Sequence, residues 1–157
     1  AGVVLAALAF VKKIADIQLK AAQGMMPDGM DAKERKLLEQ TKGRVILFDF
    51  AGVPLSFGAA TDLAYQLRQS IGDQAQAIIL DFKGVTHIDL STAYAVETIL
   101  HDAHASGKTL LTSSMNEDVK RVLTGLNIGQ DLSNTHHHPD RTSAIMAAQK
   151  RVGRSGT

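Results

Sequence analysis

The sequence predicts an α/β layered domain, and three observations carry that prediction. Mainly apolar runs of strand length stand at Val45–Phe50, Ala77–Phe82 and Lys108–Thr112, as expected of strands buried in a sheet. Between them, apolar residues recur at helical spacing: Leu63, Ala64, Leu67 and Ile71 after the first run, Ala93, Val96, Leu100 and Ala103 after the second. Glycines punctuate the boundaries at Gly43, Gly52, Gly72 and Gly107. Strands alternating with helices in this way fold as layers, with helices covering the sheet.

The elements follow in order. Ala1–Val11 is an unbroken apolar stretch, and Lys12-Lys13 follows at once. As a helix it spans about 16 Å, roughly half of a ~30 Å hydrocarbon core. Its charge follows the apolar run, whereas a signal peptide carries its charge before it. Three readings stand on local sequence: the cytoplasmic end of a truncated transmembrane helix flanked by lysines, a buried soluble helix, or an amphipathic segment lying on the domain. Residues 1–23 form this segment and its polar extension. Pro27 and its flanking glycines break the chain, and Asp31–Gln40 reads as a short solvated helix or linker within residues 24–42. The domain proper spans 43–152. Ser114-Met-Asn-Glu117 has capping-box spacing, opening a helix with Val119, Val122, Leu123 and Leu126 on its buried face. A last helix follows Pro139-Asp140, carried by Ile145, Ala148 and Val152, and residues 153–157 read as a disordered tail.

Composition removes several function classes. The net charge is +1, aromatics make up 4%, and no basic stripe interleaves with aromatic residues, so nucleic acid is not an expected partner. With no cysteine there are no disulfides, thiolate nucleophiles or cysteine zinc sites. Neither a Gly-x-x-x-x-Gly-Lys loop nor a Gly-x-Gly-x-x-Gly loop is present, which argues against a standard nucleotide-hydrolysing engine. A Gly-x-Ser-x-Gly elbow is absent too, leaving a nucleophilic serine hydrolase unsupported. No catalytic residue and no cofactor are expected.

The stretch from Asp81 to Thr92 is the place where chemistry is most expected. A buried strand ends on Asp81, the chain turns, and Asp89 delivers Ser91 and Thr92 to a helix start. Asp89 or Ser91 can cap that helix, which is worth about 1 kcal/mol. A phosphate on Ser91 would place about −1.5 to −2 charges at the positive end of the helix, although Asp89 opposes it. Asp89–Ser91 is also a place for an anion or nucleotide phosphate. Asp81 and Asp89 together form a generic carboxylate pair for Mg²⁺. His136-His137-His138, with His101 or His104, could make an adventitious zinc or nickel site, or simply a solvated loop ahead of Pro139.

From Val45 to about Val152 the order of elements resembles the STAS domain, shared by anti-sigma-factor antagonists and the cytoplasmic tails of SulP-type anion transporters. The resemblance rests on Val53-Pro54-Leu55-Ser56-Phe57-Gly58, Ile79-Leu80-Asp81-Phe82, Val85-Thr-His-Ile-Asp89, Gly107-Lys-Thr-Leu-Leu111 and Val122-Leu-Thr-Gly125-Leu126. The Pro-Leu-x-Phe segment is similar to the transporter branch, and the overall tail to cyanobacterial BicA-type bicarbonate transporters. The resemblance implies a four- to five-stranded mixed sheet flanked by four to five helices, directly after the end of a transmembrane helix. It implies a non-enzymatic regulatory and dimerisation domain on the cytoplasmic face of the plasma (inner) membrane. The partners it implies are its own transmembrane transport domain, a second copy, and a cytoplasmic regulatory protein or nucleotide. The transported anion is bicarbonate by preference, with sulfate and dicarboxylates open. In the antagonist branch the corresponding turn carries a phosphorylated hydroxyl. Ser91 falls on that position, but Leu90 replaces the first hydroxyl and Thr92 the glycine. A soluble phosphoswitch acting through Ser91 is the alternative reading.

Overall fold

The computed structural model describes residues 29–50, 73–125 and 135–154. In chain order these form α1 (Ala32–Glu39), β1 (Val45–Asp49), β2 (Ala77–Asp81), α2 (Leu90–Ala105), β3 (Thr109–Ser113), α3 (Glu117–Gly125), β4 (His136–His138) and α4 (Arg141–Arg154). The four strands pair in the order β1-β2-β3-β4. Every pairing is parallel. This corrects the expectation of a mixed sheet for the described residues. Its physical cause is visible after β2: α2 and α3 are crossovers that return the chain to the same end of the sheet.

Side chains alternate between the two faces of the sheet. Phe48, Ile78, Leu80 and Leu110 join Ala93, Val96, Leu100, Val119 and Leu123 in one core, under α2 and α3. Val45, Leu47, Ala77, Ile79 and Leu111 join Leu38, Ala144, Ile145, Ala148 and Val152 in the other, under α1 and α4. Burial on both faces explains why β2 reads as a continuous apolar run. Phe50 stacks on Phe82 with ring centroids 4.7 Å apart, and Phe48 meets Phe50 edge-on at 4.9 Å.

Helix ends follow local chemistry. Gly107 adopts φ +70°, which lets its amide reach His104 O at 3.0 Å and the Lys108 amide reach Ala103 O at 2.9 Å. Two orphan carbonyls of α2 are thereby satisfied. Lys108 Nζ also donates to Ala75 O at 2.6 Å, tying the start of β3 to the loop before β2. The opening of α3 differs from the sequence expectation. Ser114 sits at φ +61°, outside the extended conformation of a cap residue. Asn116 takes that place instead, its Oδ1 accepting from the Val119 amide at 2.8 Å.

The solvated helix or linker expected over Asp31–Gln40 is a packed helix. A reciprocal pair of bonds between Asp31 and Glu34 caps it, Leu38 enters the core, and Gln149 Nε2 of α4 donates to Leu37 O. The loop expected at His136–His138 is instead a strand at the edge of the described sheet. Helix α4 runs to Arg154, past the start of the expected tail. The proposed membrane-exit segment at residues 1–23, the helix through Leu63 and Ile71, and the Val53–Gly58 motif lie outside the described residues. Among the described residues no helix is long and apolar enough to cross a membrane.

Candidate functional site

The carboxyl ends of the four strands bring one residue each into register: Asp49, Asp81, Ser113 and His138. Such ends are where open parallel sheets usually build their sites. Asp49 and Asp81 share the face that α4 covers, because they continue the Val45, Leu47 and Ala77, Ile79 alternation. Two carboxylates side by side on a buried face need a cation. Arg141, in the first turn of α4, supplies it. Its Nε donates to Asp81 Oδ2 at 2.6 Å and its Nη2 lies 3.0 Å from Asp49 Oδ2. Ser113 Oγ donates to Asp81 Oδ1 at 2.6 Å. Arg141 is 4% exposed and Asp81 fully buried. Burial by itself pulls the guanidinium pKa down, but the Asp81 hydrogen bond and the charges of Asp81, Asp49 and Glu34 outweigh it and raise the pKa. The group is a permanent cation that clamps β1, β2 and α4 together at one end of the sheet.

The second polar centre is the start of α2. Asp89 is the cap: its Oδ1 accepts from the Thr92 amide at 2.8 Å and from Thr92 Oγ1 at 2.7 Å. The bonds from the Thr92 amide and hydroxyl hold the Asp89 carboxyl below its usual range. Thr92 is buried, and its amide and hydroxyl both donate to this cap. Ser91 lies in the first turn, partly exposed, with Leu90 and Tyr94 exposed on either side of it. The loop before the cap is pinned by Asn116 Nδ2, which donates to Val85 O at 3.2 Å and Thr86 O at 3.0 Å.

The four residues singled out in the sequence therefore divide. Asp89, Ser91 and Thr92 come together at the α2 start, whereas Asp81 is engaged by Ser113 and Arg141. A shared Mg²⁺ on Asp81 and Asp89 has no support in these contacts. Among the described residues no group of three or more histidines and carboxylates is placed to hold a metal ion. The three histidines alternate along β4: His137 Nδ1 is 2.6 Å from Thr112 Oγ1 on the α2 side of the sheet. His136 and His138 continue the other parity. Arg141 was not anticipated. The signal for it was present, since two separate apolar runs carry an aspartate at or near their ends, at Asp49 and Asp81.

A parallel sheet with helices on both faces, a capped helix start after β2 and a buried ion clamp at the strand ends define the class of α/β module. Residues 36–140 match the family model of the STAS domain, and the chain belongs to that family. It is 24% identical over 156 residues to the bicarbonate transporter BicA of Synechocystis, a match covering 97% of this chain and 27% of the transporter. Its fold is similar to the STAS domain of a SulP transporter from Vibrio cholerae, with a TM-score of 0.61 and 22% identity over 79% of this chain and 99% of that one. It is also similar to part of the murine solute carrier 26 family member A9 anion transporter in the inward-facing state. There the TM-score is 0.58 and the identity 19%, over 68% of this chain and 18% of that one. The chain thus spans about a quarter of the bicarbonate transporter it matches.

Proposed function

We propose that this chain is the cytoplasmic STAS domain of a SulP-type secondary anion transporter, a regulatory and dimerisation module that performs no catalysis. The observation that carries this reading is the match to the Synechocystis transporter, which runs through 97% of the chain, well beyond the STAS model itself. On this reading residues 1–23 lead out of the inner membrane, 24–42 connect, and 43–152 form the domain. Its partners are its own transmembrane transport domain and a second copy of itself. Bicarbonate is the favoured anion, with sulfate and dicarboxylates as competitors. Any anion or nucleotide that regulates the module would meet it at the helix start formed by Asp89, Ser91 and Thr92, where Ser91 is the partly exposed hydroxyl at the positive end of α2 and the buried Thr92 is held by Asp89.

The test uses the longer protein that contains this chain, expressed in cells lacking their own uptake systems. Uptake of labelled bicarbonate, resisting competition by excess sulfate or dicarboxylate and falling when residues 29–154 are deleted at equal membrane abundance, is the expected result. Uptake of none of the three anions overturns the reading. Sedimentation of the isolated chain addresses pairing separately, and a monomer at all concentrations removes the dimer from it.

A further inference from the structure

The function proposed above leaves β4 unused. Three consecutive histidines form this strand, and among the described residues it pairs only with β3. An edge strand of three residues has few bonds to hold it. One of these is the Ser114 amide donating to His138 O at 3.2 Å. His138 sits opposite Ser113, on the face covered by α4. Its ring Nε2 is buried and meets no hydrogen-bond partner among the described residues. A neutral imidazole tolerates that position as an unprotonated nitrogen. A protonated one places a charged N–H donor there with no acceptor among the described residues.

The neighbours reinforce this. From α4, the Arg151 cation acts on both His136 and His138, and only the Asp140 carboxylate favours charge on His138. Asp140 is itself committed as the α4 cap, accepting from the Ser143 amide at 2.7 Å, and it feels Lys33 of α1. Within β4, His137 opposes charge on both neighbours. From β3, Leu111 and Ser113 bring no titratable group. The next strand's Asp81 is already paired with Arg141.

We propose that β4 is a proton-sensitive edge strand: protonation of His138 loosens it from β3. Pro139 and Asp140 join β4 directly to Arg141, so the movement reaches the clamp on Asp81 and Asp49. Partial desolvation, with the Arg151 charge, holds the half-buried His138 ring, and the exposed His136 ring as well, below the ordinary histidine value of 6.5. The unfolded chain therefore takes up protons first as pH falls below about 6.5, and the folded strand loses stability until its own rings protonate.

The test is nuclear magnetic resonance on the 157-residue chain, following the histidine rings and amide exchange. His136 and His138 are expected to titrate below 6.5. The Ser114 amide, corrected for intrinsic exchange, is expected to lose protection by about tenfold or more from about pH 7 to about pH 5. Amides linking β1 and β2 are expected to keep theirs. In a double variant, His136→Gln with His138→Leu, Ser114 protection should become insensitive to this pH change. His138 titrating at or above the ordinary value, or a Ser114 amide equally protected at both pH values, overturns the proposal. Both readouts come from the unaltered protein, so they decide the matter even where the variant fails to fold.

Discussion

Replacing Arg141 by methionine keeps an unbranched stem of similar reach and deletes the cation. Asp81, with no exposure to solvent, is left among the described residues with the Ser113 hydroxyl on one oxygen and no partner on the other; Asp49 stands beside it at the end of β1. Removing one partner of a buried pair leaves an uncompensated charge and costs about 3–5 kcal/mol. Against a total stability of about 5–15 kcal/mol that is a large fraction. Urea unfolding followed by circular dichroism reads it directly: with a slope of about 2 kcal/mol per molar, the midpoint should fall by about 2 M. The exposed Lys120–Glu117 pair on α3 is the control, with side chains 48% and 91% exposed. Lys120→Ala should change stability by about 0.5 kcal/mol or less. Adding Asp81→Asn to Arg141→Met should recover part of the loss, since the orphaned charge goes with it. A loss under about 1 kcal/mol for Arg141→Met would refute the argument that this cation holds the strand ends and α4 together.

Other outcomes follow from the same structure. Asp89→Ala removes the α2 cap and should cost about 1 kcal/mol in urea unfolding. The Asp89 carboxyl is held below its ordinary value of 3.8 by Thr92. The cap's contribution is thus present above that value and is lost as pH falls through the lower folded one, and in Asp89→Ala this part of the acid dependence should vanish. Ser91→Asp places a negative charge at the positive end of α2 and should leave the melting temperature unchanged or raise it, by at most about 1 kcal/mol of stability; a clear drop in Tm contradicts that placement. Ile145, fully buried between α4 and the sheet, should cost about 2–5 kcal/mol when cut to alanine. Its neighbour Met146, 52% exposed, should cost about 0.5 kcal/mol or less.

How far the fold was legible depended on how burial is written into each element. Strands β1 and β2 stand out because both faces are covered, so Val45–Phe50 and Ala77–Phe82 need little polar alternation. Helices α2 and α4 announce themselves by spacing: Ala93, Val96, Leu100 and Ala103 all enter one core, and Ile145, Ala148 and Val152 the other. Strand β4 carries no such mark, because three histidines before a proline have no apolar period. Pairing with β3 imposes the strand, and that is a tertiary effect. The candidate site was half legible. The Asp89, Ser91 and Thr92 turn is local, so its cap can be read from sequence. The engagement of Asp81 is not local, since its partners Ser113 and Arg141 stand 32 and 60 residues away. Strand alternation turns Asp81 toward α4, while α2 packs on the opposite face.

On the function proposed above, one cation at the strand ends supports transport by the longer protein. This dependence is tested most directly by the initial rate of labelled-bicarbonate uptake by the longer protein carrying Arg141→Met, measured at equal membrane abundance beside Lys120→Ala. A large fall for Arg141→Met with an unchanged rate for Lys120→Ala is predicted. Full uptake by Arg141→Met, in a protein whose isolated chain has lost its stability, would contradict the account.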